Sequence, residues 1–501
     1  MVNIAIFFGI DADLFNYINK KWRKNDTKFA IVFETDRKKY VSHIDAIVKS
    51  HLPIKIFLDL PVEDAYSVLY SFLVEQNRFV WFPTAEVFGP NVKSNYAKAM
   101  TGMLIVALRL AILRYGNDPE DSLIGISNMF HNINEIINNP GINMLKDTFK
   151  DKPAIVVATG PSLTKQLPLL KELQDKAVII AADASLKPLL EFGIRPHLVA
   201  SLERIPETVA MLNRWKDDEL DGIYLAACPV VPKEVYMGYP GPRVIVYRNF
   251  DHFKWLDIER GILQVEQSSG NMAFKIAEEL GCNPIALVGQ DLAFVGDKTH
   301  ADDAPLFEGE SQNHLNMSRI KVPGNVEPEV ETHQIWYDCL KAYEHDLKMY
   351  QGKCYNCTEG GAKIQGATIG TLKEFSSLCE APASSIRQTI TDTLASFTPS
   401  STEHLLGKID SAIQEANEIM QLCSEGIEKN MPELREMVFS KQCILPLLMH
   451  FTQAYHIQFE MSLSNGYNVS HQEWFAVMGD LTNVLRGELI NARHAIEHGR
   501  V

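Results

Sequence analysis

Several apolar runs in this 501-residue chain stop at residues that bind or transfer groups. "VIIAADAS" ends in Asp183, "LVASLER" in Glu203 and Arg204, and "IALVGQDLAF" in Gln290 and Asp291. Carboxylates and amides in such positions can hydrogen-bond a ribose, a sugar hydroxyl or a base amine. Directly after Asp291 a polar loop carries Lys298 and His300, which we read as site residues rather than solvated ones. His333 opens a further helix near Thr332. There the helix dipole disfavours imidazolium, so a neutral ring could serve as a base. The neighbouring Asp302 and Asp303 read as solvated loop acids, and no metal site is expected.

Two loop-to-helix junctions complement these residues. "ATGPSL" places Thr159, Gly160, Pro161 and Ser162 between an apolar run and a helical pattern. Gly160 suits a tight turn at positive φ, Pro161 suits the first helical turn, and the N–H groups that follow make an anion seat with the hydroxyls. The spaced glycines of a dinucleotide fingerprint are missing and no Walker lysine follows, so one phosphate is expected rather than two. "EQSSGNMAFKIAEELG" sets Ser268, Ser269, Gly270 and Asn271 at a second helix start, with Gly281 as its C-terminal cap. Convergence of two helix N-termini would give an acidic chain a local anion site.

The elements that must position these residues fall into three stretches. Residues 1–130 alternate apolar runs ("VNIAIFFG", "KFAIVFET", "IKIFLDL", "NRFVWFP") with helical segments, including one from Lys93 to Tyr115, and read as a small α/β unit with a helical connector. Within residues 131–380 the runs "AIVVAT", "AVIIAA", "HLVASL", "IYLAAC", "RVIVY" and "PIALVG" are mostly apolar on both faces, which predicts a Rossmann-like parallel sheet covered by helices. Ligands of such sheets sit at the carboxyl ends of the strands. Residues 381–501 begin with a linker-like "APASSIRQTITDTLASFTPSST" and continue as a helical domain.

Bulk properties exclude other classes. The formal net charge of −15 argues against a surface built for nucleic acid. "AMTGMLIVALRLAIL" is interrupted by Gly102 and Arg109 and is shorter than the roughly 20 residues of a membrane span, so membrane insertion is not expected. The start of the chain lacks a basic signal region, and the 8 cysteines read as reduced thiols, which together predict a cytoplasmic protein. Cys354 and Cys357 form a lone CxxC, read as structural.

In combination, "KPAIVVATGPSL", "SSGNMAFKIAEELGCNPIALVGQDLAF", "GDKTHA" and "CYNCTEGGAKIQG" resemble the motility accessory factor family. The central part also resembles bacterial sialyltransferases. The resemblance implies a flagellin glycosyltransferase that moves a nonulosonic acid of pseudaminic, legionaminic or sialic type from a CMP-activated donor to Ser or Thr hydroxyls. It further implies an inverting, metal-independent reaction, no tightly bound cofactor, and flagellin as protein partner. Gly160, Pro161, Ser162, Ser269 and Gly270 would contact the CMP moiety, Lys298 and His300 would face the leaving phosphate, and Asp291 or His333 would activate the acceptor hydroxyl. Sialyltransferases use tyrosines for the leaving group where this chain has Phe294 and His300. Alternatives are a pterin pyrophosphokinase using ATP and magnesium, or a nonenzymatic flagellin-binding assembly factor.

Overall fold

The computed structural model describes residues 4–498 except 26, 76–84, 116–118, 266–267, 306–309, 381–384, 465–466 and 468. They form two compact units, one of residues 1–120, 420–438 and 451–481, the other of residues 121–419, 439–450 and 482–501. The architecture is mixed α/β with a large parallel sheet and a helical C-terminal region.

In the first unit β1 (Ile4–Phe8), β2 (Phe29–Glu34), β3 (Ile54–Leu58) and β4 (Ala85–Phe88) form a parallel sheet in the order β3-β2-β1-β4. Alternate residues serve two faces. Ile4, Ile6 and Phe8 enter one apolar cluster while Ala5 and Phe7 enter another, which is why the run is apolar throughout. The expected strand "NRFVWFP" lies outside the described residues; β4 follows it. The helix Asn95–Tyr115 buries Ala97, Met100, Leu104, Ala107, Leu110 and Ala111 at helical spacing and leaves Ile105 and Ile112 exposed. Within the described residues no helix is long and apolar enough to cross a membrane.

The second unit is built on β5 (Ala154–Val157), β6 (Val178–Ala182), β7 (Leu198–Ser201), β8 (Tyr224–Ala227) and β9 (Arg243–Ile245). After β9 a short parallel pair forms from β10 (Tyr247–Arg248) and β11 (Ile262–Leu263). The run "RVIVY" therefore divides at Val246 between two sheets. The chain then returns to the main sheet as β12 (Ile285–Val288), makes an antiparallel hairpin of β13 (Ile320–Pro323) and β14 (Glu329–Thr332), and finishes the sheet with β15 (Cys354–Asn356) and β16 (Thr368–Ile369). The order β16-β15-β12-β5-β6-β7-β8-β9 is parallel at every pairing. Successive strands build outward from β5 to β9, and β12 then pairs with the opposite edge of β5. That reversal is a topological switch point, where α/β sheets open a crevice at their strand ends.

The linker expected after residue 380 is in part a helix, Ile386–Leu394, which buries Ile386, Ile390 and Leu394. Long helices follow at Glu403–Lys429, Leu445–Ser464 and His471–His498.

Candidate functional site at the sheet switch point

The crevice is present. A cavity of about 310 Å³ opens beyond the ends of β5, β6, β7 and β12, and the start of the helix Ser269–Glu279 reaches the same space. Of the residues singled out in the sequence, Thr159, Gly160, Asp183, Glu203, Ser268, Ser269, Gly270, Gln290, Asp291 and His300 line it. Both predicted junctions therefore serve one site. Pro161, Ser162, Asn271, Lys298 and His333 are not part of its lining.

Asp291 organises the switch point. Its Oδ2 accepts a 2.7 Å hydrogen bond from Ser162 Oγ and a 3.3 Å one from the Ser162 backbone N–H. The expected phosphate seat at Ser162 is thus filled by a carboxylate of the chain itself, which accepts the bonds an incoming anion would have accepted. Gly160 does not occupy positive φ. It is glycine because a Cβ there would lie 2.1 Å from Asp291 Oδ2 and 2.5 Å from the Gly289 carbonyl. Pro161 precedes the helix Leu163–Leu173 rather than entering its first turn. Gly289 has φ +68°, and Leu292 at φ 48° holds an L-residue in a left-handed conformation beside the acid. From the other side Gly361, at φ +68°, packs so that a Cβ would stand 2.5 Å from the Asp291 carbonyl, while the Ala362 N–H donates to that carbonyl at 2.8 Å. This gives the "EGGA" segment its physical role. Asp291 Oδ1 is buried without a hydrogen-bond partner, and burial, opposed by the Ser162 bonds, raises its pKa.

Across the cavity Asp183 accepts from Ser201 Oγ at 2.8 Å, Ser269 Oγ at 3.0 Å and the Ala184 N–H at 2.9 Å. Burial nevertheless raises its pKa. Glu203 is pushed up to about 7, first by burial and then by Asp183, against the pull of Arg248 and Arg204. Ser268 caps the second helix by accepting the Asn271 N–H at 3.1 Å and donates to Asn271 Oδ1 at 2.7 Å. Ser269 and Gly270 are the first helical residues, whose amides have no acceptor within the helix. A Cβ on Gly270 would approach Gln290 Nε2 to 2.7 Å. Asn271 Nδ2 is a buried donor with no partner, and Gln290 hydrogen-bonds the buried Tyr343 side chain.

The cations and histidines are arranged differently from the expectation. Lys298 is exposed, pairs with Asp302 at 2.9 Å and lies outside the cavity lining. His333 is fully buried as the N-terminal cap of the helix Gln334–Met349. Its Nδ1 accepts the Trp336 N–H at 3.5 Å and its Nε2 meets His314 Nδ1 at 2.8 Å, so neither nitrogen is left for a substrate hydroxyl. Its pKa falls to about 4, chiefly through burial and then through His314, Arg319 and His300. His300 does line the cavity, with Nδ1 at 3.0 Å from Thr299 Oγ1, and burial lowers its pKa. Glu310, Thr299, Trp336 and Cys339 also line the cavity and were not singled out in the sequence. The signal that could have found Glu310 and its neighbour His314 is their i,i+4 spacing in "GESQNHLN".

Comparison with known proteins bears on the fold and on part of the sequence. A solved structure described as MAf glycosyltransferase from Magnetospirillum magneticum AMB-1 superposes with a TM-score of 0.59 at 16% identity, covering 99% of this chain and 80% of that one. The chain has the fold of a MAf glycosyltransferase. The resemblance to motility accessory factors thus extends from the motifs to the architecture. Residues 127–297, which carry most of the cavity lining, match the family model "6-hydroxymethylpterin diphosphokinase MptE-like". A 6-hydroxymethyl-7,8-dihydropterin pyrophosphokinase of Methanocaldococcus jannaschii is 33% identical over 87 residues, 17% of this chain and 34% of the relative. The match therefore spans about a third of that enzyme's length.

Proposed function

We propose that the chain is a glycosyltransferase that moves a nonulosonic acid from a CMP-activated donor to Ser or Thr hydroxyls of flagellin. The observation that carries this reading is the crevice itself. In a chain with the MAf fold, the β5 and β12 ends and the Ser269–Gly270 helix start face one cavity at the sheet's switch point.

In this reading the donor phosphate rests on the free amides of Ser269 and Gly270, not on Ser162. Its negative charge meets acids, since Asp183, Glu203, Asp291 and Glu310 line the space and no Lys or Arg is among the described lining residues. The raised pKa values of Asp183 and Glu203 reduce that repulsion, because a protonated carboxyl can donate to a phosphate oxygen. The unpartnered Asn271 amide supplies a buried donor close to the same helix start. Asp291 is the base: its Oδ1 is unpartnered, and a carboxylate raised by burial takes a proton from an attacking hydroxyl more readily than an ordinary one. His300 lines the same space, and we assign it to the leaving phosphate. The acceptor hydroxyl displaces CMP at the anomeric carbon, the new C–O bond forms as the C–O bond to phosphate breaks, and the hydroxyl proton passes to Asp291.

A second reading, a pterin pyrophosphokinase, is supported by the family model over residues 127–297. Thermal unfolding with CMP and with ATP plus magnesium separates the two. Stabilisation by CMP alone, followed by a mass increase of flagellin on addition of a CMP-nonulosonate, supports the transferase. Stabilisation only by ATP with magnesium, and diphosphorylation of a hydroxymethylpterin, overturns it.

A further inference from the structure

At the mouth of the crevice stands a second arrangement, which shares His300 with the proposed transferase site. His300, Glu310 and His314 bring one ligand atom each within 4.8 Å of one another. Glu310 and His314 are four residues apart on the helix Glu310–Asn316 and share a face, with His314 Nε2 3.8 Å from Glu310 Oε1. His300 comes from the loop after β12.

We infer that His300, Glu310 and His314 form a binding site for one divalent first-row transition ion of the zinc class, at the mouth of the crevice. Two imidazoles and a carboxylate are the donor set that suits such an ion while leaving coordination positions open. Both histidines carry the outer support typical of metal-bound imidazoles. His300 Nδ1 is 3.0 Å from Thr299 Oγ1 and His314 Nδ1 is 2.8 Å from His333 Nε2, so each ring has Nε2 to offer. Trp336 backs the group, with its ring 5.1 Å from that of His314 and 6.3 Å from that of His300. Donors around a tetrahedral ion lie about 3.4 Å apart, so the three need to close only slightly from their present spread.

Proton accounting is consistent. In the metal-free state His333 Nδ1 accepts the Trp336 N–H, so His333 Nε2 donates to His314 Nδ1 and His314 carries its proton on Nε2. With an ion on His314 Nε2 the pair keeps its two protons, one on His314 Nδ1 directed at His333 Nε2 and one on His333 Nδ1. The cost is the 3.5 Å cap bond to Trp336, already at the outer limit of length. An ion here also provides positive charge where the described lining has acids and no Lys or Arg. His300 and Glu310 are lining residues, so an open coordination position faces the cavity and suits an oxygen ligand such as water or a phosphate oxygen. This departs from the expectation of no metal, and it stands whether or not the transferase reading does.

The test is titration of the untagged full-length chain, stripped with a chelator, with Co²⁺ and Zn²⁺. Visible d–d absorption should rise to one equivalent of Co²⁺ and be displaced by Zn²⁺. His314→Ala and Glu310→Gln should each weaken binding by about 100-fold or more. His404→Ala, at an exposed histidine paired with Asp257 at 3.0 Å, should leave it unchanged. Glu310→Gln preserves shape, and near-ultraviolet circular dichroism confirms that each variant is folded. The inference is overturned by absence of a stoichiometric Co²⁺ spectrum, by binding that survives His300→Ala/His314→Ala together, or by an equal loss in His404→Ala. CMP-dependent stabilisation is read separately, so a failed metal site leaves the transferase proposal standing, and the reverse.

Discussion

Ser162 Oγ and Asp291 Oδ2, 129 residues apart in sequence, are joined by a 2.7 Å hydrogen bond that ties the helix after β5 to the end of β12. Asp291 is also approached by Gly160 on one side and Gly361 on the other. The acid is a keystone of the switch point as well as the proposed base.

Ser162→Ala removes a buried hydroxyl donor from a buried carboxylate. The expected loss is about 1–3 kcal/mol of unfolding free energy, measured by urea denaturation. Combined with Asp291→Asn in a double-mutant cycle, the two losses should be strongly non-additive. Simple additivity would show that the bond contributes nothing to folding.

Gly160→Ala should be worse than most glycine-to-alanine changes. The new methyl would meet a carboxylate oxygen at 2.1 Å and a backbone carbonyl at 2.5 Å, and the carbonyl cannot rotate away. A loss of about 3 kcal/mol is expected, with Asp291 displaced from Ser162. Gly361→Ala adds left-handed backbone strain to a 2.5 Å contact and should behave alike. Melting temperatures within a degree of the parent for both variants would contradict the packing described.

Glu203 sets a pH dependence whose sign is fixed. Its carboxyl titrates near 7 in the folded chain against an ordinary 4.5; burial is the main cause, Asp183 and Asp121 add to it, and Arg248 and Arg204 oppose. Between those values the folded state holds more protons than the unfolded one. This group's contribution is therefore complete below 4.5 and lost as pH rises through about 7. Glu203→Gln should flatten the fall in urea midpoint between about pH 5 and pH 8. A variant with the parent's slope would show that Glu203 is not the group responsible.

In the first unit Gly426 lies so close to Phe475 that a Cβ would stand 2.6 Å from two ring carbons, and that ring is fully buried. Gly426→Ala should cost about 1–3 kcal/mol by overpacking, visible by calorimetry. Gly407, with open space where its Cβ would be, is the control and should gain slightly.

What could be read from the sequence follows the physics of each segment. Strands buried on both faces announce themselves as unbroken apolar runs, so β5 to β8 and β12 were legible, and with them the parallel sheet and the place of the crevice. β15 and β16 are three and two residues long, at the sheet edge, and too brief for any period to register. Asp183, Glu203 and Asp291 were found because they terminate apolar runs. The reason for Gly160 was not, since its constraint comes from Asp291 and Gly289, far along the chain. Ser162 was placed correctly at a helix start, yet a local motif cannot reveal that a distant carboxylate already occupies its donors. His314 is not legible there, because the short helix that carries it has no apolar face to mark it.

The strand order has a consequence for synthesis on the ribosome. β5 through β9 emerge and can pair outward while β12 is still unmade, leaving the apolar strand Ala154–Val157 with one bare edge. Until residues beyond 288 leave the exit tunnel, that edge can recruit a strand from a neighbouring nascent chain. Expression at lower temperature, or with a holdase chaperone present, should therefore raise the soluble yield more than any change to the finished protein's surface.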